Sequence, residues 1–185
     1  MTISRTDTVI VVGFLILVQG TGALAGFWLP AIAPEVGQSL GLSPSLIAYP
    51  VLILYIFAMI SSLMAGGIVR RFGAWRSSQA ALILIGVSHL MFMNGSLLFL
   101  ALGSIILGGA YGLLTPPASH LLSKIVTPKN RNLIFSIRFT GVPLGGILAG
   151  LLAPPVALEY GWRESMIVTI VISLVIAISM WPFRK

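Results

Sequence analysis

The chain has 185 residues, 57% of them hydrophobic and 8% charged, with a mean hydropathy of +1.05 and a formal net charge of +7. A water-soluble domain carries about a quarter charged residues, so polar surface is too scarce here to coat a globule and lipid must solvate much of the chain. The basic residues sit in short gaps between apolar runs, which signals membrane topology and argues against nucleic acid, whose recognition needs a basic face on a soluble fold.

Cysteine is absent, which excludes a disulfide framework, a thiolate metal site and a cysteine nucleophile. The first apolar run begins at Val9, and no small-residue cleavage site follows a short apolar core. Residues 9–29 therefore read as a retained helix rather than a cleaved leader.

A helix needs about 20 apolar residues to cross the hydrocarbon core. Six segments qualify, at 9–29, 46–69, 77–94, 96–123, 133–156 and 164–183, and the third is the shortest. Pro30 and Pro34 are expected to close the first span, and Ser43-Pro44 to open the second. Asn94-Gly95 suits a tight reversal between the third and fourth, and Pro154-Pro155 is expected to stop the fifth. No soluble domain or long linker is expected, so the whole chain reads as one membrane domain.

Charge then orients the spans. Ten of the eleven basic residues fall on one side: Arg5, Arg70, Arg71, Arg76, Lys124, Lys129, Arg131, Arg138, Arg184 and Lys185, together with the acid Asp7. The other side holds Arg163 with Glu35, Glu159 and Glu164. The positive-inside rule puts both termini in the cytoplasm. Removing a span would set the basic clusters in conflict, so the even count and the orientation support each other.

The gap between the second and third spans reads Gly66-Gly67-Ile68-Val69-Arg70-Arg71-Phe72-Gly73-Ala74-Trp75-Arg76. Its glycines suit close helix approach and a backbone reversal at Gly73. Its arginines suit either plain membrane anchoring or pairing with helix C-termini. This stretch resembles the loop motif of the major facilitator superfamily: a glycine, then four residues later Asp-Arg, a variable residue, Gly and a basic residue. Gly66, Arg71, Phe72, Gly73 and Arg76 match, while Arg70 stands where the family usually has Asp. Gly103 to Gly112 resembles the family's fourth-helix glycine pattern, with Ser104 in place of its leading Arg. Thr127-Pro128-Lys129-Asn130-Arg131 is similar to the loop before the fifth helix, and Gly141-Val142-Pro143-Leu144-Gly145-Gly146 to the fifth-helix glycine-proline segment. Gly161-Trp162-Arg163 resembles the motif that opens the sixth helix.

The resemblance implies an all-α fold: a six-helix bundle forming the N-terminal half of a twelve-helix transporter, with both termini inside. It implies transport of a small solute by alternating access, in which one half moves against the other. It also implies a cytoplasmic gate at Gly66, Arg70, Arg71, Gly73 and Arg76, and a fifth-helix hinge at Gly141, Pro143, Gly145 and Gly146. The glycines Gly20, Gly22, Gly26 and Gly150 fit either a static seam or one that slides. Pro116-Pro117 should kink the fourth span.

Polar residues within spans mark pathways or interhelical hydrogen bonds. Gln19 and Thr21 on the first span, Tyr111 and Thr115 on the fourth, and Arg138 and Thr140 on the fifth lie on helices that the resemblance places around the substrate. Arg138 lies one or two turns inside its span, where it either snorkels to the cytoplasm or attracts anions at the inner mouth. His89 and His120 have no second ligand at metal-binding spacing. No carboxylate falls at mid-span, so proton coupling through a buried acid would need residues outside these spans.

No catalytic residue, metal or cofactor is expected. A rhomboid-like protease would need a Gly-x-Ser-Gly nucleophile, and none occurs. A six-helix vitamin-capturing subunit of an energy-coupling transporter is the alternative reading by length, though it leaves the motifs unexplained. The expected partners are the bilayer of a bacterial inner membrane, a small substrate with a lean toward organic or inorganic anions, and a second six-helix half supplied by the same polypeptide or by a homodimer mate.

Overall fold

The computed structural model describes residues 5–183. Arg184 and Lys185, assigned above to the cytoplasmic side, lie outside them. The described residues form α1 (Arg5–Ala31), α2 (Ala33–Leu40), α3 (Ala48–Phe72), α4 (Ala74–Met93), α5 (Leu97–Gly112), α6 (Thr115–Ile125), α7 (Arg131–Phe139), α8 (Gly141–Tyr160) and α9 (Trp162–Ser179), with short 3₁₀ turns at Pro44–Ile47 and Trp181–Phe183. Among them there is no strand.

By length and apolar composition, five stretches can cross a membrane: Thr8–Ala31, Ser45–Phe72, Leu97–Ile125, Arg131–Tyr160 and Trp162–Ser179. Helix α4 is the sixth long element. Its 20 residues rise about 30 Å, enough for the hydrocarbon core. It is less apolar because it carries Ser77, Ser78, Gln79, Ser88 and His89, and all five are buried inside the bundle. Gln79 donates to the Ala177 carbonyl of α9 at 2.7 Å, and Ser88 to the Ile85 carbonyl at 2.7 Å. A helix face packed against protein can carry polar groups that lipid would penalise.

Prolines end fewer helices than expected. Pro30 lies within α1, and Pro154 and Pro155 lie within α8, which continues to Tyr160. Neighbouring helices in a membrane satisfy the carbonyls that such prolines free. Pro34 instead opens α2, an unanticipated short helix that buries Val36 and ends on left-handed Gly41. The fourth span does not merely kink at its proline pair. It breaks one turn earlier, at Leu113 and Leu114, and Pro116 and Pro117 sit in the first turn of α6, where a missing N–H leaves no helical bond unmade.

Four helix pairs dominate the packing: α1 with α8, α3 with α5, α4 with α9, and α4 with α5, its neighbour along the chain. Counting spans, the first three pair the first with the fifth, the second with the fourth and the third with the sixth. Exchanging each span for the one three places away maps those three onto one another, as an internal inverted repeat of three helices requires, while α4 with α5 has no counterpart of equal extent. Glycine makes the first two pairs possible. A Cβ on Gly141 would lie 2.7 Å from the Ile16 carbonyl oxygen, and one on Gly145 2.8 Å from the Ala23 Cβ. Across the other pair, a Cβ on Gly108 would lie 2.8 Å from the Phe57 Cβ, and one on Gly112 2.9 Å from the Ser61 Cβ. Along α8 the buried positions are Gly141, Gly145, Ala149, Ala153 and Ala157, a small-residue stripe at four-residue spacing.

The basic gaps converge at one end. The turn Phe72–Arg76 and the C-terminal part of α6, with His120 and Lys124, line one hollow. At the opposite end the Arg163 guanidinium packs against the Asn94-Gly95 turn. Interior packing is continuous, from Val18, Trp28 and Leu29 of α1 through Leu82, Ile85 and Phe92 of α4 to Met166 and Met180 near the ends of α9.

Candidate functional site

Two spans are broken at similar depth. The break in the fourth, at Leu113 and Leu114, lies 12 residues from Ile125, and the break in the fifth, at Thr140, lies 9 residues from Arg131. At 1.5 Å per residue these are about 18 and 14 Å from the same end of the bundle. Both breaks tighten the same way: Leu114 N–H bonds the Tyr111 carbonyl at 3.2 Å, and Thr140 N–H bonds the Ile137 carbonyl at 3.2 Å. In the fifth span Pro143 follows within the first turn of α8 and supplies no N–H to the preceding turn. Discontinuous spans with helix ends at one depth are a recurrent way to build a polar site inside a membrane.

Arg138, the last-turn residue of α7, sits at this level with none of its surface exposed. Its Nη2 donates to Oε1 of Gln19 on α1 at 2.7 Å. Its guanidinium carbon lies 4.9 Å from the Phe139 ring centroid, while Nε and Nη1 are buried without a partner. Leaving a buried donor unmet costs about 1–3 kcal/mol, and more when it is charged. One turn before Gln19, Leu15 joins Ala118 and Leu122 of α6 in an apolar cluster flanked by Ile134 and Phe135 of α7. That cluster packs α1, α6 and α7 together below the pair, so Arg138 does not snorkel outward.

The remaining expected residues separate. Tyr111 is half-buried on α5, its ring edge-on to Tyr55 of α3 with centroids 6.2 Å apart, and it passes close to Gly26 of α1. Thr115 is exposed at the first turn of α6. Tyr55 lies on the second span, outside the helices that the resemblance places around the substrate. Thr21 lies elsewhere: it lines a groove among α1, α8 and α9, and its hydroxyl donates to the Leu17 carbonyl at 2.8 Å. Thr140 is exposed and donates to the Ile137 carbonyl at 2.6 Å.

In the loop motif, Gly73 has φ 83°, a left-handed conformation that permits the reversal between α3 and α4. Gly66 and Gly67 are exposed, and nothing lies within 4 Å of a Cβ on either, so in this bundle they mediate no close helix contact. Arg70, Arg71 and Arg76 are all exposed, and Arg71 lies over the Phe72 ring at 5.2 Å. In α8, Gly141 and Gly145 are buried seam residues, whereas Gly146 is half-buried near the Phe27 ring and Pro143 and Gly150 are exposed. His89 is buried with Nδ1 3.1 Å from the Ile85 carbonyl, and His120 is exposed. Among the described residues no three His, Asp or Glu side chains group to hold a metal.

A family model described as Major Facilitator Superfamily matches residues 12–185. The chain belongs to the major facilitator superfamily. That is a family of transporters rather than enzymes, and with its apolar spans the chain is an integral, multi-pass membrane protein. Among curated proteins, it is 28% identical to a gallate transporter of Pseudomonas putida over 165 residues, covering 86% of this chain and 35% of that protein. Among solved structures, it superposes on a peptide transporter solved with sulfate, with a TM-score of 0.74 and 21% identity over 94% of this chain and 37% of the other. The same transporter with alafosfalin gives a TM-score of 0.75 and 23% identity over 94% of this chain and 38% of the other. These structures establish the fold: the described bundle is one half of the superfamily's helical bundle. The chain spans little more than a third of the length of each of these relatives.

Proposed function

We propose that this bundle serves as one half of a secondary transporter that moves a small organic anion across a bacterial cytoplasmic membrane by alternating access. The observation that carries the anion is Arg138, a fully buried guanidinium with one bond to Gln19 and two nitrogens unfilled. An arginine fork matches a carboxylate in a bidentate manner, and buried charge inside a membrane bundle is rare unless it works on a substrate or ion. Gln19 supplies both a donor and an acceptor beside it. The half-buried Tyr111 with Tyr55 offers aromatic surface on the neighbouring helices. The likeness to a gallate transporter supports the same class, since gallate is an aromatic carboxylate.

In this reading, the second half closes the pathway opposite α3 and α8, whether it comes from the same polypeptide or from a homodimer mate. The loop from Gly66 to Arg76 acts as the cytoplasmic gate, and the junction at Thr140 and Gly141 as the fifth-span hinge. Thr115 and Thr140 border the path, while Thr21 supports α1 from its far side.

The test is ligand binding. Gallate and benzoate, added to the purified protein, should raise its melting midpoint saturably, and glucose should not. Arg138→Lys should weaken the effect by about tenfold or more through loss of the fork, and Arg138→Ala should abolish it. Gln19→Leu, which keeps the arginine, should weaken it less and covers the case in which Arg138→Ala misfolds. A shift that survives Arg138→Ala unaltered would sink the reading.

A further inference from the structure

The end of the bundle that gathers the basic residues carries two adjoining hollows that share Trp75, Leu121 and Lys124. The larger, 360 Å³, is a trough between Ile10 and Val11 of α1 and Leu121 and Ile125 of α6, closed by Phe183; apart from Lys124 its walls are apolar or aromatic. The smaller, 230 Å³, lies under the turn Phe72–Arg76 and is faced by Arg76, His120 and Lys124. Trp75 stacks on Phe183 with centroids 5.3 Å apart, and Phe14 meets both rings edge-on at 6.1 and 5.2 Å, which gives the trough a rigid floor. Among the described residues no carboxylate lines either hollow, and Arg76 and Lys124 are both exposed. The nearest acid in sequence to the trough is Asp7, one turn before Ile10 on α1.

A ligand that fills both hollows needs an anionic head and an apolar tail. Charge distribution places this end at the cytoplasmic face, where anionic lipid headgroups concentrate and basic pockets between helices recognise them. Tryptophan at this level suits the same interface. We propose that the two hollows bind one acidic phospholipid of the cytoplasmic leaflet, its phosphate between Arg76 and Lys124 and an acyl chain in the trough between α1 and α6. The lipid would brace α6 against α1 and the start of α4, one helix length from the break at Leu113 and Leu114. The site shares no residue with the Arg138–Gln19 pair, so the two stand or fall separately.

Retention of lipid by the purified protein, read by native mass spectrometry from mixtures of phosphatidylglycerol and phosphatidylcholine, tests this. The acidic lipid should be retained preferentially. Each cation near the surface contributes about a fivefold preference, so Arg76→Gln with Lys124→Gln should lower it about twenty-five-fold. Lys129→Gln with Arg131→Gln, which neutralises two other exposed charges, should leave it unchanged. Val11→Trp fills the trough, keeps both cations and should also expel the lipid, which covers failure of the double variant to fold. Soluble glycerol phosphate should not compete. Equal retention of the two lipids, equal losses in both double variants, retention indifferent to Val11→Trp, or displacement by glycerol phosphate would each overturn the proposal, the last by showing a soluble phosphate site.

Discussion

A guanidinium offers N–H donors in a fixed planar fork, and Arg138 reaches the Gln19 side chain with Nη2 while Nε and Nη1 meet nothing. Sequence pointed to Arg138, because a charge inside an apolar span stands out in one dimension. It paired neither the arginine with Gln19, 119 residues away, nor Tyr111 with Tyr55, because those meetings depend on how four helices cross. Thr21 shows what one dimension hides: it is polar and on the same helix as Gln19, yet it lines a groove that α1 forms with α8 and α9. At the same scale, the seam glycines make a firm prediction. Gly145→Leu must push α8 off Ala23 and Leu24 of α1, where no flexible side chain can yield. The loss should reach or exceed the 1–3 kcal/mol usual for overpacking. Gly150→Leu, with nothing within 4 Å of its Cβ, should melt like the parent. Comparing thermal midpoints of the two variants in one detergent checks this, and equal losses would refute it.

Elements were more legible than sites. Five stretches are long and apolar enough to cross a membrane, and apolar length is legible in sequence because lipid imposes a length that soluble cores do not. The third span was the hardest to see, since α4 packs one face against protein and keeps Gln79, Ser88 and His89 inside. Interruptions were read less well. The proline pair in the fourth span marks the restart of the chain as α6, while the break lies at Leu113 and Leu114; Pro154 and Pro155 interrupt nothing that α8 cannot absorb. Pro143 is the informative one. Replacing it with alanine returns an N–H that can reach the Phe139 carbonyl and lets α7 run on into α8. Pro143→Ala should therefore raise the melting midpoint by about 2–4 °C, the effect of about 1 kcal/mol in a chain of this size. Amide hydrogen exchange across residues 139–144 should slow. Faster exchange there would show that the proline stabilises the junction instead.

For the whole molecule, the outward surfaces of α3 and α8 matter most. Leu63, Met64 and Met59 on α3 and Leu158 and Leu151 on α8 are largely exposed, and Ser62 is exposed among the α3 residues. Lipid can cover the apolar groups and the Ser62 hydroxyl is met by the Met59 carbonyl of its own helix at 2.7 Å, but small residues on such a face let helices of two copies approach closely. The 185-residue chain expressed by itself is therefore expected to self-associate. The absence of native cysteine gives a clean assay: Met59→Cys should cross-link between copies under mild oxidation, while Ile83→Cys, on an exposed position of α4, should not. A monomeric mass in mild detergent with no cross-linking at position 59 would contradict this.

The three-way pairing of spans has a mechanical consequence. Where backbone lies against backbone, as along Gly20–Gly141–Gly145 and Gly108–Gly112, partner helices have almost no side-chain layer in which to roll independently. Each of these two couples, α1 with α8 and α3 with α5, should turn as a single rod. The segments that continue the fourth and fifth spans outside those rods, α6 and α7, are the short pieces beyond the breaks. They are the natural levers, and Arg138 rides on one of them.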